Sequence, residues 1–237
     1  MSTLINKLQS LPPTHKALLT LGLTLPIPSL GVLAGFILWP DTTLGQTIYA
    51  FGKLWLLGWP LSWLWFVDKY RPQWHWPTKE MTLVGIGLGL AINAVILGGY
   101  WLLGPYLLDT TAIATMAAEA GLNNLTRYIA AFLFWVTINS AIEEIIWRWF
   151  VVRQAELLTN AAGAVLIAAL GFTAHHVLAM RLFFDWPMTI LASLGLIIGA
   201  SLWSATYIHY RSLWPAYISH ALVDIAVFGL GYIFIFT

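Results

Sequence analysis

The sequence contains no cysteine, and only 9% of its 237 residues are charged. The absence of cysteine excludes a disulfide framework, a zinc-thiolate site and a cysteine nucleophile. The 11 basic and 10 acidic side chains nearly cancel and form no dense basic run, so we expect no nucleic-acid partner. An ordinary soluble domain carries roughly 25% charged residues, so this composition also excludes an ordinary soluble domain.

Apolar residues, by contrast, make up 59% of the chain, and its mean hydropathy is +0.79. A helix needs about 20 apolar residues to cross a bilayer. Seven stretches of the sequence are candidates for such a helix. An eighth piece, Thr111–Leu122, is weakly apolar and is predicted as an interfacial or loop helix, with a further span as the alternative. We therefore predict an all-α transmembrane bundle of seven to eight helices that forms one domain over residues 1–237. The seven predicted spans are Ala17–Trp39, Gln46–Val67, Met81–Leu103, Tyr128–Phe150, Ala161–Leu178, Met188–Ile208 and Leu213–Phe236.

The distribution of lysine and arginine predicts the orientation of the bundle, because cytoplasmic loops are enriched in these residues. With the N-terminus in the cytoplasm, the outer side receives only Arg127 and Arg181, and Lys53 lies within the second span. We therefore expect a multi-pass protein of a prokaryotic-type cell membrane, with its N-terminus inside and its C-terminus outside. The inner side receives Lys7, Lys16, Lys69, Arg71, Lys79, Arg153 and Arg211, with Arg148 near the same surface.

Ionisable residues inside membrane spans are costly and therefore informative. In the fourth span, Glu144 and Arg148 are four residues apart and share a helix face, whereas Glu143 lies about 100° further round. This spacing predicts that Glu144 is a structural carboxylate and that Glu143 is free to act as a general base. The alternative is that both glutamates pair with Arg148 near the cytoplasmic boundary.

Two further spans carry histidines. Phe172 and His176 share one face of the fifth span, and His175 is expected to point elsewhere. In the last span His220 and Asp224 are one turn apart, so the carboxylate could orient the imidazole or both could bind one ion or substrate. Each histidine taken alone is also compatible with helix packing. Together with the glutamates, they form the set that general-base hydrolysis requires.

These motifs resemble the CPBP family, the CAAX-protease and bacteriocin-processing membrane proteins that are also called the Abi family. The ordered motifs read Glu143-Glu144-x-x-x-Arg148, Phe172-x-x-x-His176 and His220-x-x-x-Asp224, within a motif-bearing core of about residues 128–236. The resemblance implies a CAAX-protease-like intramembrane endopeptidase of about eight helices. It assigns the base to Glu143, its helper to His176 and the oxyanion side to His220 and Asp224. Glu144, Arg148 and Phe172 would be supporting residues.

The sequence leaves two aspects of this site open. An ionised Asp224 cannot donate a hydrogen bond to an oxyanion, so it would instead orient His220 or help to hold a metal. No cofactor is certain, although Glu143, His176 and His220 would satisfy the preference of zinc for three protein ligands. With straight spans, moreover, Glu143 lies about 10 Å and His176 about 22 Å from the inner surface, which conflicts with a shared site.

The leading hypothesis is therefore an endopeptidase, glutamate- or metal-dependent, that cleaves a peptide or a membrane protein within the lipid bilayer. The alternative is a non-catalytic binding or immunity protein that has the same fold. A proton-coupled transporter is a weaker alternative, because the chain shows no inverted repeat.

Overall fold

The computed structural model describes residues 2–70 and 75–237, and this part of the chain forms nine helices and no strand. The all-α prediction is therefore confirmed. Arg71, one of the predicted inner charges, lies outside the described residues. The helices are α1 Ser2–Gln9, α2 Pro13–Leu38, α3 Thr43–Ser62 with a π-helical continuation Trp63–Val67, α4 Lys79–Leu107, α5 Thr110–Glu119, α6 Leu125–Ala155, α7 Ala161–Met180, α8 Trp186–Tyr210 and α9 Trp214–Phe236.

Six of the described helices, α2, α4, α6, α7, α8 and α9, are long and apolar enough to cross a membrane. Helix α3 is less apolar, since Lys53 lies within it, but it runs antiparallel to α2 along the bundle. Gln46 Nε2 donates to the carbonyl of Gly35 at one end (3.3 Å), and Val67 lines a cavity with Pro13 at the other. Seven helices thus traverse an integral, multi-pass membrane bundle, and the short α5 connects α4 and α6.

Helix α2 is interrupted where proline predicts a kink. Its first part ends at Gly22, and the helix resumes at Pro26. Because proline has no N–H, carbonyl groups in the preceding turn lose their usual donors. The Nε1 of Trp55 donates to the free carbonyl of Leu23 (2.8 Å), so α3 stabilises the break.

Helix α6 extends well beyond the predicted Tyr128–Phe150 and contains two π-helical segments, Phe134–Asn139 and Ile145–Val152. A single α-helical turn between them, Ser140–Glu144, carries the two glutamates. Because α6 continues to Ala155, Glu143 lies about 18 Å from that end, while His176 lies about 22 Å from the start of α7. The predicted difference in depth thus largely disappears.

Close packing of α4 against α9 fixes the helix that carries His220 and Asp224. A Cβ atom at Gly85 would lie 2.8 Å from the carbonyl oxygen of Pro215, and one at Gly89 would lie 2.9 Å from the Cβ of Leu222. Asn93 Nδ2 donates to the carbonyl of Leu222 (2.9 Å). The small residues of α4 therefore allow the two backbones to approach each other.

One end of the bundle is rich in basic side chains. A cavity of about 440 Å³ at this end is lined by residues that include Lys16, Arg153 and Arg211. Glu156 accepts two hydrogen bonds from Arg211 (2.6 and 2.7 Å), which raise the pKa of that guanidinium. Tyr210 donates to Glu80 at the start of α4 (2.8 Å), so α4 begins at the same end.

Candidate active site

The two adjacent glutamates of α6 have different partners. Glu144 and Arg148 are both fully buried, and the Arg148 Nη1 atom lies 3.1 Å from Glu144 Oε1. Of the described acidic side chains, only Glu144 lies within ion-pair distance of Arg148. The alternative in which both glutamates pair with Arg148 is therefore wrong. The guanidinium of Arg148 packs against the rings of Phe172 and Trp203 in the core.

His220 lies between the two glutamates. Its Nδ1 is 2.8 Å from Glu144 Oε1, and its Nε2 is 3.6 Å from Glu143 Oε2. Because the carboxylate of Glu144 accepts, Nδ1 carries the hydrogen of this bond. The hydrogen bond across α6 and α9 thus fixes the ring so that Nε2 faces Glu143.

Trp203 on α8 holds the imidazole of His220 from one face. The two rings are stacked, with centroids 4.4 Å apart and planes 16° apart. The indole Nε1 of Trp203 donates to Ser219 Oγ (2.9 Å), which holds the indole in place. This residue could not be predicted, because nothing in the spacing of a tryptophan on α8 links it to a histidine on α9.

Asp224 does not orient His220 in the way that the one-turn spacing predicts. Its Oδ1 lies 3.9 Å from His220 Nε2, whereas Nδ1 donates its hydrogen bond to Glu144. The other oxygen, Oδ2, lies 2.6 Å from Ser140 Oγ on α6. The spacing left two roles open for Asp224, and the first of them, orientation of the imidazole, falls to a carboxylate from another helix. Ser140 is a second residue that sequence analysis missed.

His176 is held by its own helix. Its ring lies 4.4 Å from that of Phe172, which agrees with the predicted shared face. The Nδ1 of His176 is 2.8 Å from the carbonyl oxygen of Phe172. Since a carbonyl can only accept, Nδ1 carries the hydrogen and Nε2 keeps a lone pair for another partner.

His175 does not point away from the site as expected. Ligand atoms of Glu143, His175 and His176 all lie within 4.8 Å of one another. The imidazole of His175 stacks on the indole of Trp147 (centroids 5.6 Å apart, planes 8° apart). Both histidines therefore flank Glu143, because the site lies between α6 and α7 rather than on one face of α7.

This group changes the expected metal ligands. A carboxylate and two imidazoles are donors that zinc prefers, so Glu143, His175 and His176 fit a divalent ion. The predicted set had His220 in place of His175. In the structure, His220 is not part of the close group, and its Nε2 lies 3.6 Å from Glu143 Oε2.

These features define a class of protein: a polytopic helical membrane protein with a buried carboxylate and imidazole site between its helices. Residues 125–226, from the start of α6 into α9, match the family model of type II CAAX prenyl endopeptidase Rce1-like proteins. This match confirms the family resemblance that the three motifs carry. No curated protein and no solved structure matches the chain.

Proposed function

We propose that the protein is an intramembrane endopeptidase that hydrolyses a peptide bond with water activated by Glu143 and His176. The observation that carries this proposal is the separation of the two glutamates. Glu144 is paired with Arg148, whereas Glu143 faces the imidazoles of three histidines. A carboxylate without a lysine or arginine partner, in a site that contains imidazoles, is suited to remove a proton.

The first step uses one water molecule between Glu143 and His176. Glu143 accepts a proton from the water, and His176 Nε2 accepts the other hydrogen and so orients the oxygen. The oxygen attacks the carbonyl carbon of the scissile bond and forms a tetrahedral intermediate. When the C–N bond breaks, the proton on Glu143 passes to the leaving amine, so that Glu143 is restored.

The oxyanion of the intermediate requires a hydrogen-bond donor. In the proposal this donor is the Nε2–H of a doubly protonated His220, whose Nδ1–H is held by Glu144. Asp224 is an accessory residue on the same side, where Ser140 holds it with its Oδ1 3.9 Å from His220 Nε2. A divalent ion bound by Glu143, His175 and His176 would supply Lewis-acid polarisation in this site.

The proposed orientation places the basic end of the bundle in the cytoplasm. The starts of α2 and α4 and the ends of α3, α6 and α8 meet at this end. Lys16, Arg153 and Arg211 lie there, whereas Arg127 precedes most of α6 at the other end. This distribution supports an N-terminus inside and a C-terminus outside.

The test compares peptide termini in membranes from cells that carry the wild-type protein, Glu143→Gln or Glu119→Gln. Glu119 is an exposed acid at the end of α5 and serves as the matched control. We expect new termini with the wild type and with Glu119→Gln, and none with Glu143→Gln at equal protein level. Termini that persist with Glu143→Gln would exclude Glu143 as the base. A partner that binds the Glu143→Gln/His176→Ala double variant unchanged would support the non-catalytic alternative.

A further inference from the structure

Lys53 is a cation in the middle of α3. It lies ten residues after Thr43 and fourteen before Val67, which places it about 15 Å and about 21 Å from the ends of the helix. Its side chain is exposed on the helix surface, and no described carboxylate lies within ion-pair distance of it. A charge at this depth is costly without a partner.

Two aromatic rings flank the ammonium group. The Nζ of Lys53 lies 5.6 Å from the ring centroids of Tyr49 on α3 and of Trp135 on α6. Such cation–π contacts compensate part of the lost hydration. They carry no negative charge, so a position for an anion remains beside Lys53.

Lys53 also borders the candidate active site. A small cavity of about 20 Å³ is lined by Lys53 and by His175, which belongs to the group around Glu143. On α6, Trp135 precedes Glu143 by eight residues, or about 12 Å along the helix axis. The ammonium group is therefore one short peptide segment away from the proposed base.

Lys53 and Trp135 bring α3 and α6 together at this point. Glu143 lies further along α6, between the segments Phe134–Asn139 and Ile145–Val152, and α3 also packs against the second of these segments.

We propose that Lys53 binds a carboxylate of the peptide substrate, three to four residues away from the scissile bond. This inference rests on the proposed peptidase function. An extended peptide advances roughly 3.3 Å per residue, so about four residues cover the 12 Å between Glu143 and Trp135. The carboxylate belongs to the C-terminus or to an acidic side chain of the substrate. A lipid phosphate is disfavoured, because Lys53 lies at the middle of the helix.

The experiment uses three farnesylated CAAX-type peptides of the same length: a free acid, its C-terminal amide, and an amide with glutamate as the last residue. Dissociation constants are measured with Glu143→Gln protein in nanodiscs, so that no turnover interferes. Cleavage by the wild type is measured separately in proteoliposomes. Lys53→Met and Lys53→Arg are then introduced, with Lys16→Met at the basic end as the matched control.

We expect the free acid to bind roughly tenfold more tightly than the amide, as one charge pair in a low-dielectric site allows. Lys53→Met should remove the difference, whereas Lys53→Arg and Lys16→Met should keep it. If the amide that ends in glutamate binds as tightly as the free acid, a side-chain carboxylate is sufficient for binding to Lys53. Equal binding of acid and amide, no binding of either, or a preference that survives Lys53→Met would overturn the proposal. Failure of the peptidase function would appear separately, as absent cleavage by the wild type.

Discussion

Glu144 Oε1 accepts a hydrogen bond from His220 Nδ1 at 2.8 Å, and the same oxygen lies 3.1 Å from Arg148 Nη1. One buried carboxylate thus links α6 to α9 and sets the direction of an imidazole. All three side chains are buried. The stability of the fold and the geometry of the candidate site therefore depend on the same contact.

Replacement of the two glutamates should separate stability from activity. Glu144→Gln leaves the buried guanidinium of Arg148 without a counter-charge, and breaking such a pair costs about 3–5 kcal/mol. Glu143→Gln removes no ion pair to Arg148, so we expect it to unfold close to the wild-type temperature. Tryptophan fluorescence during heating in detergent measures the unfolding temperature of both variants.

The double variant Glu144→Gln/Arg148→Met serves as the control, because an apolar replacement of a buried pair is often neutral. It should recover part of the stability that Glu144→Gln loses. An unfolding temperature of Glu144→Gln equal to that of the wild type would contradict the structural role.

Zinc binding should depend on His175 rather than on His220. Glu143, His175 and His176 bring one carboxylate and two imidazoles within 4.8 Å, and His220 lies outside this group. Equilibrium dialysis of zinc against the purified protein should show weaker binding by His175→Ala and His176→Ala. His220→Ala should bind zinc as the wild type does. If His220→Ala weakened zinc binding and His175→Ala did not, the ligands would be Glu143, His176 and His220, as expected from the sequence.

Local contacts of the site could be predicted from the sequence, and contacts between helices could not. The pairs Glu144–Arg148 and Phe172–His176 are both four residues apart, and helix geometry alone brings them together. The hydrogen bond between Ser140 and Asp224 joins positions 84 residues apart. It depends on how α6 and α9 pack.

The depth of the site could also not be predicted by counting residues along the spans. The two π-helical segments of α6 and its continuation to Ala155 change the position of Glu143 relative to the helix end. A pattern of apolar residues does not distinguish a π-helical turn from an α-helical one. The stacking of Trp203 on His220 was missed for a related reason, since aromatic residues are abundant in every span.

The packing of α4 against α9 predicts a strong effect of side-chain volume at Gly85. A Cβ there would lie 2.8 Å from the carbonyl oxygen of Pro215 and 2.9 Å from the Cβ of Ile218, so Gly85→Val must push the two helices apart. We expect a lower unfolding temperature and reduced activity, since α9 carries His220. Gly87→Val is the matched control, because a Cβ at Gly87 meets nothing within 4 Å. Equal unfolding temperatures of the two variants would contradict this packing.

The absence of cysteine allows a direct test of the proposed orientation. Lys79→Cys places a thiol at the basic end, at the start of α4, and Asn123→Cys places one between α5 and α6 at the opposite end. Both positions are exposed. With the basic end in the cytoplasm, a membrane-impermeant maleimide added to intact cells should label Asn123→Cys and spare Lys79→Cys, and permeabilised cells should label both. The reverse pattern in intact cells would place the N-terminus outside, because the seven helices that traverse the bundle fix the two termini at opposite ends.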